Sequence, residues 1–159
     1  MTASRESIMV AFEALFTPYL YNPDTNPSGA FKTISRVLKT PDEIAPETQS
    51  PAVYIVQMPE SYQPRNGRGL PAKVLMNIIL WVYTNPKADP IPSKVLNDVL
   101  DAIDTALRPP LSGGQQNVQT LGGLVDNVWI EGEVPRESGD LDTYGIAAVP
   151  VKILVPQTQ

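Results

Sequence analysis

The stretch AKVLMNIILWVYT, residues 72–84, limits the possible folds of this chain more than any other. Side chains alternate sides along a strand. Val74, Met76, Ile78, Leu80 and Val82 therefore share one face, and Leu75, Ile79, Trp81 and Tyr83 share the other. Both sets are apolar, whereas a strand with one wet face reads apolar-in and polar-out. The run is expected to be a central strand covered on both sides, by helices on one and by a neighbouring subunit on the other.

Two helices can supply the first cover. Over residues 4–20, Ile8, Phe12, Leu15, Phe16 and Tyr19 recur at steps of three and four and form one apolar stripe, with Ser4 as N-cap and Glu6 in the first turn. Over residues 93–108, Leu96, Leu100, Ile103 and Leu107 form a second stripe, with Ser93 as N-cap and Pro109–Pro110 as the stop. Further strands are expected at FKTISRVLK (31–39), AVYIVQM (52–58), LVDNVWIEGEV (124–134) and TYGIAAVPVKILV (143–155). The last two would form a hairpin with Glu131 and Glu133 on one face and Pro135 to Asp140 as its turn. Pro150 would demote its part of the last strand to an edge or a bulge.

Strands that follow one another with short links pair antiparallel. The expectation is an α/β fold of the α+β kind, in the order α-β-β-β-α-β-β. A mainly antiparallel four- to five-stranded sheet would carry two helices on one face, as a single domain over residues 1–159. A chain of 159 residues fits one domain, able to bury about 70% of its unfolded surface. Its 17 prolines lie mostly between the apolar runs and read as stiff loops.

The chain has no histidine and no cysteine. That removes disulfides, thiolate nucleophiles, Cys/His metal sites and any Ser-His-Asp arrangement. Catalysis would have to rest on carboxylates, lysines or tyrosines. The net charge of −5 offers no bulk attraction to nucleic-acid phosphates. The N-terminus lacks the pattern of a signal peptide, and the apolar run around 74–83 is shorter than the ~20 residues of a membrane span. A soluble chain made in a cytoplasm is expected.

Four polar segments were weighed for chemistry. The glycines of SGGQQNVQTLGGL follow a helix and lack the Gly-Lys-Ser/Thr ending of a phosphate loop. Asp98, Asp101 and Asp104 read as a solvated helix face. Arg65, Asn66 and Arg68, in the loop PRNGRG, offer guanidinium forks and free backbone N–H groups to an anion or a partner. EGEVPRESGDLD, residues 131–142, holds Glu131, Glu133, Glu137, Asp140 and Asp142 around Arg136. It lacks the ligand run of a calcium loop. It reads as a wet hairpin end or an electrostatic contact, with a carboxylate-dependent enzyme using Glu131 and Glu133 as the alternative. No cofactor is implied.

The segment QTLGGLVDNVWIEGEVPRESGDLDTYGIAAVPVKILV, with FKTISRVLK and LPAKVLMNIILWVYT upstream, resembles the tail terminator (tail completion) proteins of long-tailed bacteriophages. The pieces that carry the likeness are Leu121-Gly122-Gly123, Ile130-Glu131-Gly132, the Gly139-Asp140-Leu141-Asp142 turn and Val149-Pro150-Val151. The likeness runs over about residues 4–155, with NPDTNPSG (22–29) as a local insertion. It implies a non-enzymatic virion protein of the tail or neck, assembled in the host cytoplasm. Such proteins form a homo-oligomeric ring, typically of six subunits, on the last ring of the tail tube protein. The ring ends tube growth and meets the head connector or stopper protein, and DNA passes through its hole without specific binding. Another ring-forming neck or tail protein, such as a tube subunit or a head–tail joining protein, is the nearest alternative. The residues expected to face a channel or a partner are Arg65, Asn66, Arg68, Glu131, Glu133, Arg136, Glu137 and Asp140.

Overall fold

A computed structural model describes residues 3–63, 73–89, 91–109, 118–139 and 143–156. Among these, six strands form one mixed sheet: β1 (Thr33–Ser35), β2 (Ala52–Gln63), β3 (Lys73–Thr84), β4 (Asn127–Ile130), β5 (Arg136–Glu137) and β6 (Gly145–Val155). The order across the sheet is β1-β2-β3-β6-β4, with β5 also paired to β6. β3 is central, flanked by β2 and β6 along its length. The broad α+β class holds, with helices α1 (Arg5–Ala14), α2 (Pro46–Gln49) and α3 (Pro92–Leu107).

The sheet has one more strand than expected, and one pairing is parallel. β1 lies beside β2 with Thr33 opposite Ala52 and Ser35 opposite Tyr54. The segment 36–51 does not turn back as a hairpin. It carries the chain to the start of β2 through a short 3₁₀ turn (Pro41–Glu43) and α2, which lets the two strands run the same way. The remaining strand pairs are antiparallel.

Local chemistry explains most element ends. Ser4 caps α1 as expected, its Oγ accepting from the Ser7 amide at 3.0 Å. α1 is shorter than the stripe implied, and Pro18 starts a separate 3₁₀ turn over Thr17–Tyr19. Ser93 is not the cap of α3, because the helix begins at Pro92, one residue earlier, with Ile91 as cap residue and no side-chain cap bond. Proline suits that first position, since its missing N–H would have had no helical partner.

The expected long fourth strand stops at Ile130, because Gly132 takes a φ of 108° open to glycine but costly for other residues. Pairing resumes at Arg136–Glu137, so part of the expected turn is strand. Pro150 sits inside β6, not at a bulge, opposite Ile79. The neighbouring outward bonds run from Glu131 N to Pro150 O and from Ala148 N to Pro135 O. The missing N–H of Pro150 thus faces the gap between β4 and β5, and β3 does not need it.

NPDTNPSG forms an ordered loop. Asn22 Oδ1 accepts from the Asp24 and Thr25 backbone amides, and Asn26 Nδ2 donates to Pro18 O and Leu20 O at 2.8 and 2.9 Å. Gly29 then passes so close to the Tyr21 backbone that a Cβ there would clash with the Tyr21 nitrogen. This brings fully buried Phe31 back to the core. The core occupies one side of the sheet. Ile8, Met9 and Phe12 of α1 and Leu96, Val99 and Ile103 of α3 join Val53, Ile55, the even-numbered side chains of β3 and the odd-numbered ones of β6 in one cluster.

Candidate assembly surface

Neither long helix, α1 nor α3, packs on the opposite side of the sheet. Its rows follow from the register: Leu75 with Leu154, Asn77 with Lys152, Ile79 with Pro150, Trp81 with Ala148, and Tyr83 with Ile146. β2 extends these rows with Val56 beside Ile79 and Tyr54 beside Trp81. Trp129 of β4 extends the Lys152 row. Leu75, Ile79, Trp81, Trp129, Ile146, Pro150 and Leu154 are all half-buried, the state of apolar side chains on a flat sheet with no layer above them. Sequence alternation anticipated this second apolar face.

One end of this face is closed by the chain itself. Ile44, from the crossing segment, packs with Ala52, Tyr54 and Tyr83, and Trp81 and Ile146 border the cluster. The Trp81 and Tyr83 rings stack with centroids 6.4 Å apart, and Tyr54 lies 5.7 Å from Tyr83. Burial raises both phenols above the ordinary tyrosine range, and for Tyr54 the neighbouring Tyr83 and Glu43 add to the effect. Toward the far end a polar stripe crosses the apolar field. Lys152 Nζ donates to Asn77 Oδ1, Asn77 Nδ2 donates to Pro59 O at 2.6 Å, and Lys73 pairs with Asp126 at 2.6 Å.

Beside β5 the face hollows into a cavity of about 330 Å³ lined by Trp81, Pro135, Arg136, Glu137, Ile146 and Ala148. Directly paired residues share a face, so Glu137, opposite Ile146, stands on the open side. Glu131 lies past the end of β4, where its carboxylate accepts from Trp129 Nε1 at 2.6 Å. Glu133 follows Gly132 in the break, so the two glutamates are not successive same-face positions of one strand. Glu131, Glu133, Arg136 and Glu137 are exposed and gather at the β4–β5 edge; among the described residues none of the four forms an ion pair. Arg65, Asn66, Arg68 and Asp140 lie outside the described residues.

The opposite edge holds a feature the sequence reading placed inside a strand. β1 ends at Ser35, and Val37 and Leu38 project with 71% and 49% of their surface exposed. The projection is pinned on its N-terminal side. Ser35 Oγ accepts the Val37 amide at 3.0 Å, and Arg36 forms a two-pronged bond with Glu6 at 2.6 and 2.9 Å. Beyond it, Thr40 and Glu43 close a capping box. The sequence signal was available in the Thr-Pro-Asp-Glu that follows, which favours a capped turn over a continued strand.

Among the described residues no group of three or more His, Cys, Asp or Glu side chains is placed to hold a metal ion, and no helix is long and apolar enough to cross a membrane.

No protein-family model matches the chain, and no curated protein matches it. Among solved structures, it is similar to a chain of the virion of native gene transfer agent (GTA) particle, with 12% identity, a TM-score of 0.49, and coverage of 95% of this chain and 98% of that one.

Proposed function

We propose that this chain is a structural virion protein that caps a phage tail tube as a ring, ends tube growth and forms the joint to the head connector. The observation that carries the reading is the second sheet face. It is a largely apolar, half-buried surface with two tryptophans, Trp81 and Trp129, crossed by the Lys152–Asn77 stripe, and neither long helix covers it. Large exposed apolar patches mark contact surfaces. The likeness of residues 4–155 to tail terminators supplies the kind of contact: ring neighbours and a stacked tube.

The acidic edge fits the same role. Glu131, Glu133 and Glu137 would face either a DNA channel, where like charge keeps the duplex from sticking, or a basic patch on a partner. In this reading the protein is not an enzyme and needs no cofactor. Its partners are copies of itself, the tube protein and the head connector.

The test is imaging and mass photometry of the purified chain, alone and mixed with tube protein. Rings of defined subunit number that cap tubes and hold their length constant are expected. Tubes that grow past the added protein would remove the terminator role.

A further inference from the structure

We propose that neighbouring copies join head to tail across the sheet, with the Val37–Leu38 projection of one copy seated in the Trp81–Ile146 cavity of the next. The inference deepens the ring reading above and rests on it for closure.

The two features lie on one line. Ile34 of β1 is level with Val53, Val53 with Val82, Val82 with Ala147, and Ala147 with Arg136 of β5. The projection leaves β1 one residue past this row, and the cavity is built around β5 at the row's other end. They therefore occupy opposite edges of one sheet at the same height, about 20 Å apart at roughly 4.8 Å per strand. Copies joined through two different edges make a heterologous contact, which propagates and closes into a ring when its rotation permits.

Shape and charge both match. The projection is apolar and its N-terminal side is held by the Ser35 and Arg36 bonds, which lowers the conformational entropy lost on seating it. The cavity floor is apolar, formed by Trp81, Pro135, Ile146 and Ala148. Lys39, directly after the projection, has no carboxylate within ion-pair distance among the described residues, while Glu137 at the cavity rim has no cation. A second copy is therefore an occupant whose Lys39 answers Glu137. The outer edge of β2 is a poorer joint, because Pro59 and the register shift between Met58 and Ser61 interrupt its ladder.

The absence of native cysteine gives a clean test. The double variant Lys39→Cys/Glu137→Cys is oxidised mildly, beside each single variant, and followed by non-reducing gels and mass photometry. The expected result is a ladder of intermolecular cross-links ending in one closed species, with the single variants uncross-linked. Assemblies that form without the 39–137 link, or dimers linked in a single variant, overturn the contact and leave the ring reading standing. A ladder that grows without closing supports the contact and overturns the ring. Monomers with no cross-link at any concentration overturn both. In parallel, Glu137→Lys should weaken assembly at least about tenfold, and adding Lys39→Glu should restore it. Loss without restoration counts against the pairing.

Discussion

The two faces of the sheet are built from the same strands and have different tasks. On the helix side, Ile78, Leu80 and Val82 of β3 and Val149, Val151 and Ile153 of β6 are buried to within 1%. On the other side, Ile79, Trp81, Pro150 and Leu154 are equally apolar but only half-buried. Hydrophobicity alone does not distinguish the faces. The difference lies in which face the chain covers with its own helices: among the described residues both long helices lie on one side. The first face supports the monomer, and the second would carry the contacts of the proposed ring.

Adjacent residues of β3 give the largest test of this contrast. Ile78→Ala empties a site that is 1% exposed and should cost about 2–5 kcal/mol in urea unfolding. Ile79→Ala, one residue along and on the other face, should cost clearly less, about 1–2 kcal/mol, since its side chain is only half-buried. Equal losses in the monomer would mean that the second face is part of the folding core. Next in size is a spectroscopic change. Both tryptophans of the chain, Trp81 and Trp129, lie on the open face. Dilute protein should show acrylamide-quenchable emission that shifts to the blue and becomes protected as concentration rises. Emission that ignores concentration while assemblies form would place the contact elsewhere.

Alkaline pH probes the one closed end of that face. The phenols of Tyr54 and Tyr83 are raised by burial, so above about pH 10 the unfolded chain releases protons that the folded chain retains. Fewer protons on the unfolded state mean that stability falls as pH rises. The loss begins near the unfolded value and continues until the folded phenols titrate. Tyr54→Phe should flatten this decline in urea midpoints between about pH 9 and pH 11, and an unchanged slope would show that burial there is weaker than described. The smallest effect concerns the polar stripe. Lys73→Ala breaks a partly exposed pair with Asp126 and should cost under about 1 kcal/mol, less at high salt.

Much of the fold was legible because periodicity is local. The α1 and α3 stripes, the Ser4 cap and the double-faced β3 all follow from side-chain spacing. The errors fall where spacing competes with backbone chemistry. FKTISRVLK alternates like a nine-residue strand, yet Ser35, Arg36 and the Thr40 capping box bend it out after three residues. Glu131 and Glu133 alternate correctly, but Gly132 at positive φ ends the strand between them. The acidic character of this edge was readable from composition, and its position beside an apolar cavity was not. That cavity joins Trp81 to Pro135 and Ile146, residues far apart in sequence.

Residue order alone therefore determined which segments are apolar on one face, which on two, and that catalysis by histidine or cysteine is absent. Only the tertiary structure decided that β1 runs parallel to β2, and that an apolar projection and a cavity occupy opposite edges of one row. The physical reason is range. Side-chain alternation and capping act over a few neighbours, whereas register across the sheet is settled by all strands and helices competing at once to bury one common core.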